Sequence, residues 1–123
     1  MKFLLLLHVN PQVWNALTAD EQNEVMNGHE AFIDVIKKSG ELITTHGLAE
    51  PSESAVVRVR DGRTVVTDGP YLEAKEHLGG YYVIDCESRE RAVELAAMIP
   101  DAKLNGLGVE VRQIMYTDGE LDT

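Results

Sequence analysis

The chain has 123 residues, 44% of them hydrophobic, enough for one domain over residues 1–123 whose core needs neither a disulfide framework nor a structural metal. Its net charge of −10 repels phosphate backbones and anionic membrane surfaces, which argues against nucleic acid and membrane as partners. The single cysteine, Cys86, excludes an internal disulfide and fits a reducing compartment.

The opening MKFLLLLHVN imitates a signal peptide, but its apolar run is short, and His8, Asn10 and Pro11 interrupt it before any small-residue cleavage site. The expectation is therefore a cytoplasmic protein, with Lys2 to Val9 forming a strand. Thr18 and Glu21 have the spacing of a capping box, so a helix should run from about Ala19 to Lys38 and stop at Gly40. ELITTHG reads as the next strand. PSESAVVRVR and RTVVTDG flank Asp61-Gly62, a strong short hairpin signal. GGYYVIDC is a further strand. Ser88 caps a helix from about Arg89 to Ile99, with Ala92, Leu95, Ala96 and Ile99 on one face. GVEVRQIMY closes the order as the last strand.

Set apart from the Asp-Gly hairpin, these elements read β-α-β-β-α-β. That is an α+β, ferredoxin-like arrangement with two helices over one face of an antiparallel sheet, and the β-hairpin is inserted between its second and third strands. Both faces of the central strands are apolar: Phe3, Leu5, Leu7 and Val9 point one way, and Leu4 and Leu6 the other. Tyr81 and Val83 likewise oppose Tyr82, Ile84 and Cys86. A sheet covered on one side alternates apolar with polar instead. The second face is therefore expected to be buried by a second copy, giving a homodimer through its sheet faces.

TDGPYLEAKEHLGGYYVIDC, followed by AVELAAMIP and VEVRQI, resembles the YCII-related family in its branch named for an Asp-Gly-Pro-Phe motif, with Tyr71 in place of the phenylalanine. The resemblance runs from MKFLLLL to VEVRQI. It implies a dimeric α+β barrel. It also implies kinship with small bacterial proteins, some of them beside or fused to extracytoplasmic-function sigma factors. A member of the wider superfamily is a dehydrochlorinase that uses a His-Asp pair, and other dimeric α+β barrels act on small cyclic or aromatic compounds.

His29 stands out among the residues that could carry chemistry. Val25, Met26, His29, Phe32, Ile33 and Ile36 form one helical stripe, and a titratable group inside such a stripe needs a polar partner or a cavity. The family resemblance places a catalytic histidine on the first helix, matching His29, and an aspartate just before a proline after the second helix. Here Ile99 precedes Pro100 and Asp101 follows it, so an acid/base role for His29 needs another carboxylate to orient it, and Asp68 or Glu73 is the candidate. The alternative is a core histidine bonded to backbone or water.

Asp68-Gly69-Pro70 is turn chemistry. Asp68, Glu73, Lys75 and Tyr81 are candidate ligand-binding residues, Lys75 as the holder of an anion; a solvated charged loop explains the charged members equally well. Gly79-Gly80 would allow close backbone approach. His8, His46 and His77 lack metal-ligand spacing, and no dinucleotide or phosphate-loop fingerprint appears, so neither metal nor cofactor is expected. Three readings remain open. One is a small-molecule site between helix and sheet, with or without acid/base catalysis through His29. The others are a regulatory or interaction protein linked to a sigma factor, and a scaffold that only dimerises.

Overall fold

The structure is a computed structural model that describes residues 1–71 and 75–119. Strand β1 (Lys2–Val9) leads through a short helix α1 (Pro11–Ala16) into the long helix α2 (Ala19–Ser39). Strands β2 (Leu42–Gly47), β3 (Ala55–Arg60), β4 (Arg63–Asp68) and β5 (His77–Asp85) follow. Helix α3 (Arg89–Met98), a 3₁₀ turn over Pro100–Lys103 and strand β6 (Leu107–Gln113) come next.

The local signals act where their chemistry puts them. Thr18 Oγ1 accepts from Glu21 N at 3.1 Å, and Glu21 Oε1 accepts from Thr18 N at 2.8 Å, so the capping box is closed in both directions. Gly40 ends α2 with φ at 80°, a left-handed conformation that glycine adopts without a Cβ penalty. Asp61 and Gly62, at φ of 51° and 75°, make the tight turn between β3 and β4. Helix α1 lies outside the elements expected from the sequence, although its start signal is there. Asn10 caps it by accepting from Gln12 N, and Pro11 occupies the first helical position.

Four strands form one antiparallel sheet in the order β2-β5-β1-β6, and β3 pairs with β4 in a separate two-stranded sheet. The protein is thus α+β with antiparallel sheets, compatible with a ferredoxin-like fold. One sheet face presents Phe3, Leu5, Tyr82 and Ile84 to Phe32 and Ile36 of α2 and to Ala92, Leu95 and Ala96 of α3, all of them buried. Full burial of each large apolar side chain is worth about 1.5–3 kcal/mol. On the opposite face Leu4, Leu6 and Tyr81 are half-buried, and Val83 is buried. No described helix is long and apolar enough to cross a membrane.

Candidate functional site

The helix-bearing side of the sheet does not close at the end where β1 finishes and β5 begins. A cleft of about 830 Å³ opens there. Leu7, Val9 and Gly80 of the sheet, Trp14 of α1, and Met26 and Ile33 of α2 are among its walls, with Leu48, Pro51 and Pro70 from the loops. His29, Tyr82 and Asp101 also line it. Its size and apolar lining suit a small organic molecule. Among the described residues that line it, none is lysine or arginine.

His29 is fixed at both ring nitrogens. Nε2 lies 2.7 Å from Asp101 Oδ1, and Nδ1 lies 2.6 Å from the Tyr82 hydroxyl. As a carboxylate, Asp101 can only accept, so Nε2 carries the hydrogen in the neutral imidazole. Nδ1 is then the acceptor, and the Tyr82 O–H donates to it. The His29 and Tyr82 rings lie nearly parallel, 13° apart in plane with centroids 6.0 Å apart. Phe32 meets the Tyr82 ring edge-on at 5.1 Å, which holds the phenol from its other side. Burial, reinforced by the Asp101 charge, pushes the Tyr82 phenol up to about 12.

Each member of this chain is placed by a different element. Position 29 on α2 falls on the stripe that includes buried Val25, Phe32 and Ile36, so the imidazole reaches the sheet. Strand alternation sends Tyr82 to the helix side with Ile84 and Cys86. Asp101 comes from the 3₁₀ turn after α3. Pro100 cannot continue the helix, and the tight turn it opens folds Asp101 back under α2, where it is only 3% exposed.

The carboxylate at His29 is therefore Asp101, not Asp68. An aspartate after the proline supplies what the resemblance led one to seek before it. Asp68 ends β4, exposed and opposite Ala55. Glu73 lies outside the described residues. Lys75 is exposed and is not among the residues lining the cleft. Tyr81 points to the opposite face of the sheet from Tyr82, where its ring leans on His46 at 5.4 Å. From the Asp-Gly-Pro turn it is Pro70 that reaches the cleft, while Gly69 N donates to Ser54 O at 2.7 Å. Gly79 and Gly80 lie within β5, and a Cβ on Gly80 would come 2.8 Å from His46 O, so close backbone approach is real at that position. Burial pushes the Cys86 thiol up, away from thiolate character.

The chain matches the YCII-related domain over residues 1–117. It belongs to the YCII-related family. An uncharacterized protein of Rhizobium meliloti (strain 1021) is 32% identical over 122 residues, which is 98% of each chain. In this YCII-related protein, Tyr82, Asp101 and Trp14 line the cleft, and sequence reasoning passed over them as candidates. The signal for Tyr82 was present, because its alternation with Ile84 and Cys86 already separated it from Tyr81.

Proposed function

We propose that this YCII-related protein binds a small, largely apolar molecule in the cleft beside His29 and performs proton-transfer chemistry on it through the His29–Asp101 pair. The observation that carries this reading is an imidazole held at both nitrogens beside an open apolar cleft. A histidine needed only for packing would be satisfied by one backbone bond and would not require a buried carboxylate. We place the protein in the Asp-Gly-Pro-Phe branch of the family and read it as a homodimer in the manner of the dimeric α+β barrels, with the β3–β4 hairpin as an insertion. The half-buried Leu4, Leu6 and Tyr81 on the helix-free sheet face support that pairing.

Trp14 lines the cleft and is the only tryptophan in the chain, so its fluorescence reports occupancy. 2-Indanone, an apolar bicyclic ketone, is a suitable probe. Titration should give a saturable change in Trp14 emission. Gly47→Phe should abolish it: Gly47 lines the cleft, and a Cβ there meets nothing within 4 Å, so an added ring has room to enter. A linear, unsaturable response, or one unchanged in Gly47→Phe, would contradict the reading.

A second reading, a regulatory protein docking an extracytoplasmic-function sigma factor without catalysis, draws on the hairpin. Val57, Val59 and Val66 lie on one of its faces and are more than half exposed, at 61%, 69% and 62%. A pull-down in which Val57→Asp removes a sigma factor, with the cleft left intact, would favour it.

A further inference from the structure

We infer that Tyr82, rather than the imidazole of His29, is the group that exchanges a proton directly with the bound molecule; this rests on the reading of the cleft given above. Both nitrogens of His29 are occupied, one by Asp101 at 2.7 Å and the other by Tyr82 at 2.6 Å. Neither is free to meet a substrate hydrogen unless a partner leaves. With Asp101 fixing the hydrogen on Nε2, the phenol hydrogen points at Nδ1. The hydroxyl oxygen keeps lone pairs that no described protein donor uses, and Tyr82, although only 2% exposed, forms part of the cleft wall. The order carboxylate, imidazole, hydroxyl is that of a relay in which histidine activates a terminal hydroxyl, here a phenol.

The proton balance follows directly. The phenol oxygen takes a proton from a weakly acidic X–H bond of the bound molecule, while its own proton passes to His29 Nδ1. The X–H and old O–H bonds break, and a new O–H and an Nδ1–H form. Tyr82 ends neutral, the electron pair stays on X, and the imidazolium is stabilised by Asp101. The reverse sequence returns a proton to X or to a conjugated atom, which makes the reaction class a proton abstraction or shift. The Tyr82 pKa, pushed up to about 12, agrees with a phenol that rests protonated between turnovers. Among the described lining residues no lysine or arginine is present to balance a carboxylate or phosphate. Together with the largely apolar walls, this favours a neutral apolar carbon or oxygen acid over an anion, although His46 and His77 also line the cleft.

The test is deuterium exchange at the carbons flanking the carbonyl of 2-indanone, followed by proton NMR in heavy water with the full chain present. Wild type should accelerate exchange over buffer. Tyr82→Phe keeps the ring that packs on His29 and Phe32 and should bind the probe equally well by Trp14 fluorescence, yet exchange should fall about 100-fold or more, the usual worth of a positioned acid/base group. Incorporation of 3-fluorotyrosine at position 82 keeps the hydroxyl and lowers its pKa, so the exchange rate should change even if Tyr82→Phe folds poorly. Exchange that is unaltered in both variants would assign the transfer to His29 or Asp101 and overturn the inference. So would a bound probe that wild type does not exchange. A probe that does not bind overturns the reading of the cleft itself, and the inference with it.

Discussion

Gly28 lies against Pro100 where α2 crosses the 3₁₀ turn, and a Cβ on Gly28 would collide with Pro100 Cγ. The two residues are the immediate sequence neighbours of His29 and Asp101. The missing side chain at position 28 lets the helix settle onto the turn and closes the 2.7 Å bond between imidazole and carboxylate. Gly28→Ala should therefore cost about 1–3 kcal/mol of stability, as overpacking does, despite the better helix propensity of alanine. Urea denaturation measures the cost. A variant as stable as wild type would show that this contact does not set the spacing.

Asp101 fixes the His29 tautomer because a carboxylate only accepts. Asp101→Asn puts an amide there, and if its NH₂ donates to Nε2 the imidazole hydrogen must move to Nδ1, where it points at Tyr82. Nitrogen-15 NMR of the imidazole should show the hydrogen on Nε2 in wild type and on Nδ1 in the variant. Loss of acid/base function should accompany the wrong tautomer even though the packing is nearly unchanged. The same tautomer in both proteins would contradict the assigned roles.

Tyr82 makes alkaline stability site-dependent. An exposed tyrosine in the unfolded chain ionises near pH 10, whereas the folded phenol holds its proton to about 12. The folded pKa is raised, so the stability linked to this group is fully present below about pH 10 and is lost as pH rises toward 12. Tyr82→Phe should flatten the fall in stability across that window. Parallel wild-type and variant curves would place the phenol in a far more solvated setting than the core contacts indicate.

Arg91 of α3 grips Glu41 with both ends of its guanidinium, Nε to Oε2 at 3.0 Å and Nη2 to Oε1 at 2.9 Å. The Arg91 hydrogen bonds hold the Glu41 carboxyl below the usual range, against the opposing effect of burial. A lowered folded pKa gives stability that is present above the unfolded value and lost as pH falls through the folded one. Glu41→Gln should lower the thermal midpoint at pH 7 by a few degrees, with the gap closing below about pH 4. A gap that persists in acid would mean that shape, not charge, sets the contribution of this pair.

Much of the fold was legible because its signals are local. The Thr18–Glu21 box, Gly40, Asp61-Gly62 and Ser88 each act within a few residues of themselves, and period-2 alternation separated Phe3 and Leu5 from Leu4 and Leu6. His29 was legible for the same reason, as the one titratable group inside an apolar stripe. Its partners were not. Whether a residue 72 positions away meets an imidazole depends on how a turn after α3 docks under α2, and no local pattern encodes that docking. Pro100 marks a helix end, but the direction of Asp101 depends on how the turn after it packs against Gly28 of α2. Tyr82 was assigned to a face without the sequence saying which face the helices cover.

A crystal structure of the protein with 2-indanone tests the central claim most directly. The probe should occupy the cleft between Trp14, Met26 and Tyr82, with a carbon adjacent to its carbonyl about 3 Å from the Tyr82 oxygen, the reach of proton transfer. The His29–Asp101 bond should be intact beneath it. A probe bound only elsewhere, or a cleft that stays empty at saturating concentration with Trp14 and Met26 folded across it, would contradict the account.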